Sequence, residues 1–186
     1  MKRILDFLLA LIVMAILLLP IILVALMVRI TSPGPIFYWS DRVGRYNRIF
    51  KMPKFRSMRT GTPAVATHLL SNPESYLTPV GSFLRKSSLD ELPQLWSIIT
   101  GDMSFVGPRP ALHNQHDLIE LRTQCGVHEL VPGLTGWAQI NGRDELPIPQ
   151  KVALDKEYLQ QQSLLWDVKI LWLTVWKVII RADVTH

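Results

Sequence analysis

FLLALIVMAILLLPIILVALMV, running from Phe7 to Val28, contains no charged residue and is built almost entirely of Leu, Ile, Val, Ala and Met. At about 1.5 Å per residue a helix over this stretch reaches roughly 33 Å, enough to cross the hydrocarbon core of a bilayer. It is longer than the apolar region of a usual signal peptide, and Ala25-Leu26-Met27 offers no small-x-small cleavage site, so it reads as a retained anchor. Pro20 lies inside it, where it removes one helix hydrogen bond and crowds the preceding turn. Both flanks are basic. Lys2 and Arg3 precede it; Arg29, Arg42, Arg45, Arg48, Lys51, Lys54, Arg56 and Arg59 follow it, opposed only by Asp41. Positive charge prefers the cytoplasmic side, so the two flanks compete for one face. A straight span satisfies the length, since prolines are tolerated in membrane helices. A helix that enters, bends at Pro20 and leaves on the same face satisfies the charges as well, and this re-entrant form is the expectation. Residues 1–30 are thus read as the anchor and 31–186 as a single further domain.

Outward from the anchor, Thr31-Ser32-Pro33-Gly34-Pro35 is a cluster of helix breakers that marks its exit. Ile36 to Trp39 is apolar and aromatic. With a turn near Gly44 to Asn47 and a return over Ile49 to Met52, it predicts a small β-hairpin. Thr60 to Asn72 reads as a loop with one helical turn, and Gly81 to Ile99 as helix in at least two pieces. Gly126 to Leu146 is rich in glycine and turns, and Gln150 to Gln161 reads as helix. Leu164 to Arg181 sets Trp166, Trp172 and Trp176 among Leu, Ile and Val, with Lys169, Lys177 and Arg181 between them. Taken alone this is a core helix or an amphipathic helix lying in a membrane interface; the anchor at the other end of the chain favours the interfacial form. The expected fold is α+β and mostly helical, with a re-entrant membrane helix, a small β-hairpin and interfacial amphipathic helices.

The chain has 186 residues, which suits one compact domain plus a membrane segment. With 48% hydrophobic and 19% charged residues, it is not a disordered chain. A net charge of +5 and a pI of about 9.6 call for an anionic partner: nucleic acid, lipid headgroups or a phosphorylated substrate. Cys125 is the only cysteine, which excludes an intrachain disulfide and a cysteine zinc cluster.

Three runs could carry chemistry. The first is Ser87-Ser88-Leu89-Asp90-Glu91-Leu92-Pro93-Gln94-Leu95-Trp96. Ser88-x-x-Glu91 matches a capping box, and acids are favoured near a helix start; that reading needs no ligand. The same geometry also suits chemistry. A helix start keeps a carboxylate ionised, an ionised Asp90 can attack phosphorus, and Glu91 beside it can handle a proton or help hold Mg²⁺. Arg85 lies just before this run. The second run, Gly101 to Pro110, holds Arg109 between two prolines, a stiff mount suited to presenting its fork to a phosphate. The third, Pro132 to Arg143, has glycines that permit close approach of the backbone to a ligand, but is neither a Walker loop nor a dinucleotide fingerprint. His113, His116 and Asp117 are spaced as helix neighbours and read as a polar face rather than a metal site.

Taken together, the anchor, Lys54-Phe55-Arg56-Ser57-Met58, Ser88 to Glu91, Gly101 to Pro110, Pro132 to Arg143, and Leu154-Asp155 with Tyr158 resemble the monotopic phosphoglycosyl transferases, the bacterial sugar transferase family. The resemblance covers nearly the whole chain and looks like the small catalytic-core form. It implies a ping-pong transfer of a sugar 1-phosphate from a UDP-sugar to polyprenyl (undecaprenyl) phosphate, with release of UMP. In that scheme Asp90 is the nucleophile and carries a covalent phosphosugar, and Glu91 completes the pair as a base for the acceptor. Mg²⁺ sits at Asp90, and Lys54, Arg85, Arg109 and Arg143 bind substrate. The resemblance further implies an N-acetylated donor sugar, lipid contacts, and a place at the cytoplasmic face of the bacterial inner membrane, in the first membrane step of glycoconjugate assembly. A homodimer is allowed, but the sequence carries no signal for one. One departure stands out: where the family often has Ser-Pro at the bend, this chain has Leu19-Pro20, without a hydroxyl for the freed carbonyl.

Two other functions fit parts of the sequence. A membrane scaffold would keep the anchor and the Trp-rich helix but would not need Asp90, Glu91, Arg85 and Arg109 together. A nucleic-acid binder would use the basic run, but that run follows the anchor directly, so anionic lipid is its nearer partner and no nucleic acid is expected.

Overall fold

The computed structural model describes residues 1–63, 72–142 and 146–180. Its first two elements are α1 (Lys2–Ile16) and α2 (Leu18–Thr31), which meet at Leu17 with a bend of 64°. Pro20 causes the break three residues ahead of itself. It has no N–H for the Ile16 carbonyl, and its ring crowds that carbonyl. Leu17 therefore leaves helical geometry (φ −89°, ψ 6°), while its N–H still reaches Val13 O and its carbonyl still accepts from Ile21, both at 2.9 Å. Among the described residues no single helix is long and apolar enough to cross a membrane; the two pass that test only together.

One face of this pair packs on the rest of the protein. Ala10 of α1 joins the main core with Met52, Leu95, Ile98, Phe105 and Ile170, and Val24 and Val28 of α2 form a second core with Phe55 and Leu84. The start of α1 is held by polar bonds: Lys2 pairs with Asp167 at 2.6 Å, and Arg3 donates to the carbonyls of Ile98 and Ile99. The buried Asp6 carboxylate accepts from Ser104 Oγ at 2.8 Å and Phe105 N at 3.3 Å. The opposite face exposes Leu8, Ile12, Ile16, Leu19, Leu23 and Leu26.

The expected hairpin is present and longer than its apolar run. β1 (Phe37–Val43) pairs antiparallel with β2 (Ile49–Phe55), from Phe37 opposite Phe55 to Val43 opposite Ile49. Polar residues extend it, since Asp41 faces Lys51 across the strands and pairs with it at 2.7 Å. Of the expected loop over Thr60 to Asn72, residues 64–71 lie outside the described residues.

The helix expected over Gly81 to Ile99 is α3 (Gly81–Lys86), a 3₁₀ turn (Leu89–Glu91) and α4 (Gln94–Thr100). Pro93 directly precedes α4, where its missing N–H costs nothing. The capping box does not form. Ser88 is in the left-handed region (φ 57°) with no capping side-chain bond, and Glu91 turns to other partners.

Next come β3 (Ser104–Val106), α5 (His116–Gln124), β4 (Gly133–Thr135), α6 (Trp137–Ile140), α7 (Ile148–Gln161) and α8 (Leu164–Ile180). β3 and β4 pair in parallel, Ser104 with Gly133 and Val106 with Thr135. The glycines of the third run serve this packing: a Cβ on Gly133 would meet Gly107 N at 2.1 Å, and one on Gly136 would meet Gly107 O at 2.1 Å. They bring backbone to backbone. His113 lies ahead of α5 and shares no helix face with His116 and Asp117. Along α8, Asp167 and Ile170 are buried while Val168, Trp172, Val175 and Trp176 are exposed, the two-faced pattern expected of it. Trp39 on β1 and Trp96 on α4 are exposed too.

Candidate active site

The site forms where the 3₁₀ turn meets the end of β2 and the loop after β3. Asp90 and Glu91 come from the turn, whose entry is set by the left-handed Ser88, a conformation that costs a non-glycine residue about 1–2 kcal/mol. Lys54, near the end of β2, places Nζ 2.7 Å from Glu91 Oε1. Arg109 places Nη2 3.1 Å from the same oxygen. Arg85, in the last turn of α3, donates to Met58 Sδ at 3.8 Å.

Neighbouring carboxylates on one turn are pushed in opposite directions. Burial raises the Asp90 carboxyl above its ordinary 3.8; Lys54, Arg85 and Arg109 pull it down and Glu91 pushes it further up, with burial prevailing. Burial also pushes Glu91 up, but Lys54 and Arg109, through charge and direct hydrogen bonds, outweigh it and hold that group well below its ordinary 4.5. Glu91 is thus a fixed anion between two cations, and Asp90 a poorly solvated carboxylate, less stabilised as an anion and correspondingly more reactive once ionised.

Arg109 is mounted firmly. Pro108 O accepts from Gly133 N at 2.9 Å, Arg109 O from Arg122 Nη1 at 2.8 Å, and Pro110 O from Arg42 Nη1 at 3.1 Å. Arg122 is in turn held by Asp155 of α7, whose Oδ2 accepts from Nε at 3.0 Å and Nη2 at 2.6 Å. One turn along α7, the Tyr158 hydroxyl lies 2.6 Å from Asp167 Oδ1 and 3.2 Å from Val106 O, linking α7 and α8 to β3. Burial and the adjacent Asp167 carboxylate raise the Tyr158 phenol far above its ordinary range.

Of the residues singled out in the sequence, Lys54, Arg85, Asp90, Glu91 and Arg109 converge here, while Arg143 lies outside the described residues. Arg122 was not foreseen. Its one signal was its place on the polar helix facing Asp155, across 33 residues of chain. Among the described residues no three His, Cys, Asp or Glu side chains come together in a way that could hold a metal ion.

A carboxylate pair set among a lysine and two arginines has the donors to hold anionic groups such as phosphates, and it sits on a domain whose leading helices expose leucine. The chain belongs to the bacterial sugar transferase family, whose profile matches residues 1–181. It is 40% identical over 185 residues to a UDP-glucose:undecaprenyl-phosphate glucose-1-phosphate transferase of Escherichia coli (strain K12), covering 95% of this chain and 40% of that protein. It is 41% identical over 164 residues to a transferase of the same name from Xanthomonas campestris pv. campestris, covering 84% of this chain and 34% of that protein. An uncharacterized sugar transferase of Bacillus subtilis (strain 168), EpsL, is 42% identical over 159 residues, 84% of this chain and 76% of that protein. The chain thus spans well under half the length of the first two relatives.

Proposed function

We propose that this chain transfers a sugar 1-phosphate from a UDP-sugar to polyprenyl (undecaprenyl) phosphate at a membrane surface, releasing UMP. The observation that carries this reading is the adjacency of Asp90 and Glu91 with opposite electrostatics, inside one set of phosphate-competent cations. In the first step an Asp90 oxygen attacks the β-phosphorus. The bond from that phosphorus to the bridging oxygen breaks, and UMP leaves with the electron pair. In the second step an oxygen of the lipid phosphate attacks the same phosphorus, the bond to Asp90 breaks, and the carboxylate is regenerated. Raised by burial, Asp90 is the more basic and more nucleophilic of the two acids. Glu91, held well below its ordinary range, is a poor base; its part is to hold Lys54 and Arg109 where the diphosphate oxygens arrive, not to take a proton from the acceptor.

The donor atoms fit Mg²⁺, which binds through one or two carboxylates completed by substrate phosphates and needs no all-protein cage. Asp90 would hold it together with the donor, and when bound it would offset the repulsion between attacking and attacked anions. Membrane seating is supported by the exposed leucines of α1 and α2 and the tryptophans of α8. A re-entrant course is supported by the two ends of the bent pair: α1 begins against α4 and α8, and α2 ends against β2, so both ends attach to the same domain. The relatives named for a sugar carry glucose or galactose, which favours a plain hexose donor over the N-acetylated sugar implied by the family resemblance.

The test is UMP release from a panel of UDP-glucose, UDP-galactose and their N-acetylated counterparts, with undecaprenyl phosphate and Mg²⁺, for wild type and Asp90→Asn. Turnover with one donor and a loss of about 10³-fold or more in Asp90→Asn is expected. Turnover that survives in Asp90→Asn rejects Asp90 as nucleophile. No release with any donor, from protein folded in lipid, points to the scaffold instead.

A further inference from the structure

We propose that Arg56 is a positioning residue that clamps the exit of α2 to the strand carrying Lys54, and so sets the site at the level from which a lipid-borne acceptor reaches it. This rests on the reading that the acceptor is a polyprenyl phosphate. Lys54 and Arg56 are two residues apart where β2 ends, and the ladder runs on to Arg56, whose N–H donates to Ile36 O at 2.9 Å. Lys54 reaches Glu91. Arg56 reaches the opposite way, donating to Pro33 O and, at 2.7 Å, to Ser32 O. These carbonyls follow the last turn of α2, the negative end of its dipole, where a cation is favoured. Between the two side chains, Phe55 packs on Val24 and Val28 of α2, with Leu89 and Leu92 of the Asp90 turn against the same cluster.

Packing alone does not call for arginine here. The residue is 4% exposed and its Nε is buried without a partner. A buried unpaired N–H is costly, and an apolar side chain of similar length would fill the space without it. The surroundings are nonetheless shaped to admit the guanidinium: Gly34 sits at φ +119°, and a Cβ there would meet Arg56 Nη1 at 2.1 Å. What arginine adds is a directed grip on two carbonyls at the anchor's exit. Lys54, Glu91 and Arg109 keep their mutual bonds when that grip is lost; what changes is the place of α2 beneath them. The soluble donor does not sense that change, whereas a lipid delivered along the anchor does.

The test uses the full chain in nanodiscs, as wild type, Arg56→Lys and Arg56→Met. The UMP burst without undecaprenyl phosphate reads the first half-reaction and shows that a variant is folded. The KM for undecaprenyl phosphate in full turnover reads the second. The burst and the donor KM are expected to stay at wild-type values while the lipid KM rises about tenfold or more in Arg56→Met, and less in Arg56→Lys. A burst that falls in step with turnover in both variants, or an unchanged lipid KM, overturns the proposal. A wild type that gives no burst with any UDP-sugar overturns the functional reading instead.

Discussion

Two acid–cation clusters flank Arg109 and follow opposite plans. In the pair between α5 and α7, one arginine meets one carboxylate; the side chains of Arg122 and Asp155 are 10% and 2% exposed, and two hydrogen bonds close the pair. In the cluster on the 3₁₀ turn, Glu91 is shared by Lys54 and Arg109, with side chains 20%, 16% and 33% exposed, and the next carboxylate, Asp90, is left disfavoured as an anion. The first cluster is sealed and holds a backbone carbonyl. The second is reachable and holds charge that a ligand can join. Burial raises both Asp155 and Asp90 above their ordinary 3.8, so the clusters differ not in that shift but in access: Arg122 closes over Asp155, whereas the cations around Asp90 and Glu91 can still be joined by a ligand.

Breaking the sealed pair should have the largest effect on stability. Arg122→Met strands the Asp155 carboxylate in the interior and removes the donor to Arg109 O, with an expected loss of about 3–5 kcal/mol in denaturant unfolding. A loss no larger than that of Glu91→Gln would erase the distinction between the clusters. Glu91→Gln should cost about 1–3 kcal/mol at pH 7. Because the folded protein holds Glu91 below its ordinary 4.5, its contribution is full above that value and disappears as pH falls toward the folded one. The gap between variant and wild type should therefore narrow in acid. Asp90→Asn should show the smallest effect on stability, and the opposite sign. Asp90 is raised from 3.8, so its cost to the fold is absent in acid and sets in as pH rises through the folded value. The variant should be roughly 0.5–2 kcal/mol more stable than wild type at pH 7, with no gain at low pH. Equal signs for the two turn variants would remove the contrast between neighbouring carboxylates.

The sequence was most readable where cause and effect are close along the chain. The apolar run and Pro20 announce a bent apolar helix pair, though the bend falls at Leu17 because proline acts on the carbonyl four residues before it. Two short apolar runs and the turn residues between them announce the hairpin. Less readable was whatever depends on partners far along the chain. Ser88 and Glu91 have the spacing of a capping box, yet Glu91 is drawn to Lys54, 37 residues earlier, and to Arg109, 18 later. β3 and β4 are three residues each and pair in parallel, too short for periodicity to register. That Gly133 and Gly136 pack on Gly107 was not readable, because a sequence does not say which backbone will come close. The role of Asp155 became clear only once α5 set Arg122 beside it.

The placement of tryptophan has an optical consequence. Of six tryptophans, Trp39, Trp96, Trp172 and Trp176 are at least half exposed, while Trp137 and Trp166 lie partly buried with rings 5.0 Å apart. Trp172 and Trp176 of α8 lie on the surface proposed to meet lipid, so seating on vesicles should shift the intrinsic emission to the blue. Trp96, exposed on α4 close in sequence to the Asp90–Glu91 pair, would report whether the candidate site enters the lipid along with α8.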